Sequence, residues 1–470
     1  MNPSLAGQQF AGYASCLARG CHGGPDVTRT PVAAEAAGLK LAAPSLANAG
    51  TIWINHDRHT RAYAILKTPR SQEILRRLAN AGVLASPVDL QNPRPEREER
   101  CLACHTTPSL AANPSDLLEE SLAEGVSCDA CHTAPGKDSW DWVDSHPRGT
   151  LSELQNSRDS SLRMLNTAAR RAELCVGCHV GAPRDQRAGL PLRDMDHTFI
   201  AAGHPRLFFD YATYLRLMPP HWNDQSPAAG EKDEAKQALE LTAELDAPAI
   251  GAKATLAAEL ALLVDRANDP AHRSSLSSMD CFACHHDLTS PSWRQATSKR
   301  ARLGQAQWLG VQLAEASAPQ LFESGSEGAT ALAAIGGAVR KFQPLPDQHV
   351  GTLQKRLAAD QDVKLSISID AALLLPAWPE ESPQMYAGLS WDQAARRYYL
   401  AREVSRIRPP DGKEDPELQT AFAALRESLV FQGGGSGLLS PKDYSPQLSG
   451  ERYTKLRNLL IDRWKPWKRN

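Results

Sequence analysis

CLACHTTPSLAANPSDLLEESLAEGVSCDACH, residues 101–132, holds two copies of one short pattern: a pair of cysteines two residues apart, closed by a histidine. Outward from it the pattern recurs as CVGCH at Cys175, Cys178 and His179, and as CFACHH at Cys281, Cys284 and His285. In CLARGCH the gap widens to four residues between Cys16 and Cys21, with His22 following. Together with Cys101, Cys104 and His105, and Cys128, Cys131 and His132, these five pairs use all ten cysteines of the chain. Two thiols at this spacing can add across two vinyl groups on adjacent rings of a flat macrocycle, and the next residue then turns its imidazole to the iron from one face. The wider first gap bulges the loop but keeps that geometry attainable. The pattern predicts five covalent haem c groups, each with its iron bound by the closing histidine.

Other cysteine chemistries fit less well. Zinc sites built from such pairs need an even number of pairs or further ligands, and they give no reason for a histidine after every pair. Disulfides do not account for the placement of every cysteine in a haem-type pair. A thioredoxin-like redox motif explains one pair at most, and no βαβ pattern surrounds any of them.

At 470 residues the chain predicts two or three core-forming units. A composition 42% hydrophobic and 23% charged excludes a wholly disordered or collagen-like chain. The formal net charge of -2 offers no basic field for nucleic acid or anionic lipid. No run of about 18 uninterrupted apolar residues is present, so no membrane span is expected. The start, MNPSLAGQQFAGYASC, has neither a basic nor an apolar leader segment, and no signal peptide is visible. Haem attachment of this type takes place outside the cytoplasmic membrane. The expected location is therefore periplasmic or extracellular, with a leader cleaved or left out of this sequence.

The second axial ligand decides whether an iron only carries electrons or can also bind a small molecule. Of fourteen histidines, five close the motifs and nine remain: His56, His59, His146, His197, His204, His221, His272, His286 and His349. That supply makes bis-histidine ligation the default. His286 directly follows a closing histidine, so it serves a neighbouring haem or pairs with a propionate rather than reaching the opposite face of the same iron.

Helical periodicity dominates, and the fold class read from it is mainly α: a loop-rich multihaem core followed by an α-helical C-terminal unit. Residues 1–290 are expected to form the pentahaem domain, with a helical insertion at about 229–268, and residues 291–470 a haem-free helical domain. TIWINHDRHTRAYAILKTP reads as one helix presenting Trp53, His56, His59, Tyr63 and Leu66 on one side, ended by Pro69 and followed by a short amphipathic helix with Leu75 and Leu78. The short segment between His105 and His132 predicts that the second and third haems are close neighbours. His146 precedes a proline in an extended or turning backbone. SLRMLNTAARRAEL reads as a helix leading into the fourth motif. His197 and His204 flank a small-residue turn, and a helix is expected from Pro205 onward. An Ala- and Glu-rich helical pair then separates the fourth motif from the fifth, and four more helical stretches follow the fifth: QATSKRARLGQAQWLGVQLAEA, SWDQAARRYYLAREVSRI, PELQTAFAALRESLVF and SGERYTKLRNLLIDRW.

With the motifs placed, the chain resembles the cytochrome c-554 family of multihaem cytochromes over roughly residues 10–295. The resemblance rests on IWINHDRHTRAYAIL, EGVSCDACH and CVGCH, while DMDHTFIAAGHPRLFFDYATY with DCFACHHDLTSPSWRQ looks like a five-haem branch of that family. It implies that His59 is the distal ligand of the haem bound by His132, and that His146 closes the first haem opposite His22. It also implies distal roles for His197 and His204 at the fourth, second or fifth haems. His56 and His286 complete the candidate ligand set.

The function expected is electron transfer between redox donors and acceptors, with assembly into a homo-oligomer or larger electron-transfer complex left open. No catalytic residue is assigned. The alternative is an oxidoreductase acting on a small nitrogen or sulfur compound at a five-coordinate haem. The absence of a CxxCK variant argues against a pentahaem nitrite reductase.

Overall fold

The computed structural model describes residues 12–17, 22–24, 48–84, 87–107, 119–143, 161–163, 165, 167–219, 221, 234–268, 276–279, 308, 310–311, 325–358, 391–406, 415–429 and 446–464. The fold is mainly α. Among the described residues the extended structure comprises one two-stranded ladder, which pairs Gly181 with Asp194 and Ala182 with Arg193, and isolated bridges. Contacts divide the chain into two units. One holds Met1–Asp194, Thr198–His204 and Tyr214–Glu231; the other holds Met195–His197, Pro205–Thr213 and Lys232–Asn470.

In the first unit the segment around His59 is not one helix. It runs Ala49–His56, then a 3-10 turn at Arg58–Arg61, then Ala62–Leu66. The break is at Asp57, whose backbone is extended at φ -78 and ψ 132 and whose carboxylate caps the turn by accepting the His59 N–H. The next helix, Pro69–Asn80, starts on the proline, with the Thr68 hydroxyl accepting the Ser71 N–H. The expected helix through SLRMLNTAARRAEL starts only at Ala168, because Leu162 is extended and bridged to Thr133, and Thr167 caps the helix that follows. Tyr63, Leu66, Leu102, Ala103 and Leu122 form a small apolar cluster.

The second unit is conventionally packed. Its longest element is one continuous helix, Glu234–Asn268, where a pair was expected; Pro248 lies inside it without ending it. Ala252, Leu256, Leu260 and Leu263 repeat at near-helical spacing and meet Leu332, Ile335 and Val339 of Glu327–Arg340 and Leu353 and Leu357 of Asp347–Ala358. Ala249 joins a second cluster made by Trp391–Arg406, Pro416–Leu429 and Pro446–Trp464, with Leu425, Tyr453, Leu456 and Leu460 fully buried. The stretch Ala247–Asn268 is long and apolar enough to cross a bilayer, with mean hydropathy 1.5. Its leucines are engaged in the core of this unit, as in a core helix. In the same unit Arg206 grips Asp392 with two parallel hydrogen bonds of 2.7 and 2.8 Å, both side chains largely buried. The helix expected from Pro205 begins instead at Tyr211, where Asp210 accepts the Thr213 N–H.

Candidate functional site

Three motifs adopt the same local form. The second lies in Glu99–His105, the third is the whole of Cys128–His132, and the fourth ends Ala168–His179; each helix stops on its histidine. Residues i, i+3 and i+4 of a helix share a face, so the last turn puts two thiols and one imidazole on the same side. In the first motif Cys16 ends Gly12–Cys16, and the His22 N–H donates to its carbonyl at 3.2 Å. Cys21, His146, the fifth motif at Cys281, Cys284 and His285, and the neighbouring His286 lie outside the described residues.

The first unit brings histidines together in pairs. The ring of His59 stands 6.0 Å from that of His179, at an interplanar angle of 75°. The ring of His105 stands 6.4 Å from that of His204, at 76°. His204 is placed by Gly203, whose φ of 114° turns the chain directly after His197–Ala202. One ring in each pair is oriented by its own hydrogen bond: His59 Nδ1–H donates to Asp57 Oδ1 at 2.8 Å, and His105 Nδ1–H donates to the Ala62 carbonyl at 2.9 Å. Since a carboxylate and a carbonyl only accept, each of these rings carries a proton on Nδ1, and Nε2 is the nitrogen left for a metal. Burial, with the nearby charge of His59 added, pulls His179 down to about 4, and burial also lowers His105. Both stay neutral near pH 7, the form that binds metal. Burial pulls His59 the same way, but the Asp57 hydrogen bond and charge outweigh it and raise it.

The thiols are arranged across motifs. Cys104 and Cys178 hydrogen-bond to each other, which draws Cys178 down to about 6, with Arg193 beside it at 3.9 Å. Cys16 and Cys128 are linked in the same way. All seven described cysteines are free. Second and third motifs are close as well, since the Thr107 and Ser127 hydroxyls bond at 3.0 Å.

This arrangement suits covalent haem. Two metal–imidazole bonds of about 2 Å, with about 1.2 Å from each nitrogen to its ring centre, sum to roughly 6.4 Å, the separation needed to hold one iron between two rings. Free thiols beside His105 and His179 supply the attachment points. The resemblance sets His59 against His132, whereas here the His59 ring faces His179, and His132 has the Trp142 ring 6.4 Å away. His56 is half-buried at the end of its helix, and His197 belongs to the second unit. Two residues with no role in the sequence reading stand at the pairs: Asp57, and Tyr214, whose ring lies 4.9 Å from His179. The Asp-x-His spacing was the available signal for the first; nothing local marks the second.

Residues 48–133 match the family model described as Cytochrome c554 and c-prime, a stretch holding His56, His59 and the second and third motifs. The match supports a c-type cytochrome, a class defined by covalent haem and electron transfer. No curated protein and no solved structure matches this chain.

Proposed function

We propose that this chain is a periplasmic or extracellular electron-transfer protein carrying five covalent c-type haems between redox partners. The observation that carries it is two pairs of neighbouring imidazoles with ring centres 6.0 and 6.4 Å apart, each pair joining a motif histidine to one from elsewhere in the chain. On this reading His59 and His179 hold one iron and His105 and His204 another. Bound haem c supplies one-electron exchange. The polypeptide would contribute cysteine thiols for covalent attachment, two imidazoles at each of these sites and a buried setting. A saturated iron has no open position for substrate, which favours a carrier over an oxidoreductase at these two sites.

The mass of the denatured protein should exceed that of the polypeptide by five haems. His59→Ala and His204→Ala should each convert one low-spin haem to an open or high-spin form, seen by electron paramagnetic resonance. A lower stable haem count would refute the pentahaem reading, and two variants with every haem still low-spin would refute the ligation. Carbon monoxide shifting the Soret band of the reduced wild-type protein would move the assignment toward the oxidoreductase alternative.

A further inference from the structure

Asp57 is a buried carboxylate, 3% exposed. Its Oδ1 accepts both the backbone N–H of His59, at 2.9 Å, and the ring Nδ1–H, at 2.8 Å. Its Oδ2 is buried and makes no hydrogen bond. Capping the turn Arg58–Arg61 does not by itself call for an acid, since Asn, Ser or Thr would cap as well. Burying the charge is costly unless a partner compensates it. The partner in contact is the His59 ring. In the other pair the His105 ring donates to the neutral carbonyl of Ala62.

We propose that Asp57 is a positioning residue that fixes the tautomer of His59 and draws electron density onto its imidazole, making it a stronger donor to iron than a histidine anchored on a neutral acceptor. This rests on the ligation reading above. A carboxylate on the far nitrogen raises the basicity of a ligating histidine more than a neutral carbonyl does, and a more basic ligand favours the oxidised iron. The haem of the fourth motif is therefore held at a lower potential than an uncharged residue at position 57 would give it.

Asp57→Asn tests this in the full haem-loaded protein, because Asn keeps the cap and the acceptor oxygen and removes only the charge. The expected result is an upward shift in the potential of one haem and a changed signal from that haem in electron paramagnetic resonance, with all haems low-spin and the others unmoved. Asp57→Glu should restore part of the shift. Unaltered potentials in Asp57→Asn would overturn the proposal and leave Asp57 a helix cap. A second variant does not depend on that one folding: Asp57→Ser, which can also cap the turn, should shift the potential of the same haem upward, and an unshifted potential there would overturn the proposal. His59→Ala with every haem still low-spin would instead sink the ligation reading itself, so the two failures are distinguishable.

Discussion

At the scale of single residues, the opposed rings make a spectroscopic statement. With interplanar angles of 75° and 76°, each proposed pair presents its two imidazole planes nearly crossed. Crossed planes leave two iron d orbitals close in energy, so orbital momentum is poorly quenched. Two of the low-spin haems should then give strongly anisotropic signals with a large maximum g value, whereas coplanar rings would give ordinary rhombic spectra. A spectrum with rhombic signals alone would contradict these ring orientations. Gly125 is equally specific. Its φ is +69°, and a Cβ there would stand 2.5 Å from the carbonyl oxygen of His59, to which Val126 also donates its N–H at 3.1 Å. Gly125→Ala combines a left-handed backbone with a clash against main chain and should cost about 2–4 kcal/mol, measurable as a lower Tm. A cost within about 0.5 kcal/mol, usual for an inert surface site, would show that this contact does not anchor His59.

Among elements, the EGVSCDACH segment acquires a physical role: it grips the backbone of the turn that carries His59 as well as presenting a motif. The turn was not legible because WINHDRH continues the apolar spacing of a helix across Asp57, and only the side-chain cap interrupts it. Pro69 shows the converse, since a proline suits the first turn of a helix as well as the end of one. The periodicity of Pro416–Leu429 and Pro446–Trp464 was read directly, and their packing makes a plain prediction. Leu456 is fully buried where these helices pack, so Leu456→Ala should destabilise by about 2–5 kcal/mol in a denaturant titration, while the haem spectra keep their intensity. The helix Glu327–Arg340, whose run of Ala and Gly weakens any apolar stripe, was visible only once Leu332 and Ile335 were seen against Leu256 and Leu260.

Over the whole molecule, one unit is organised by motif histidines and thiols with a small apolar cluster, the other by leucine-rich helix packing. What the sequence by itself determined is the chemistry: cysteine spacing and a closing histidine are local, and a helical turn suffices to bring i, i+3 and i+4 to one face. It determined the helical class for the same reason, because a 3.6-residue period is written in neighbouring positions. Which imidazole opposes which, and which thiols meet, was decided only by the tertiary structure. His59 and His179, or His105 and His204, are brought together by a chain reversal at Gly203 and by the contact of Val126 with the His59 turn. Nine spare histidines leave many pairings open to a reader of the sequence. Close packing admits one, because rings far apart in the sequence meet only when the segments that carry them have folded against one another.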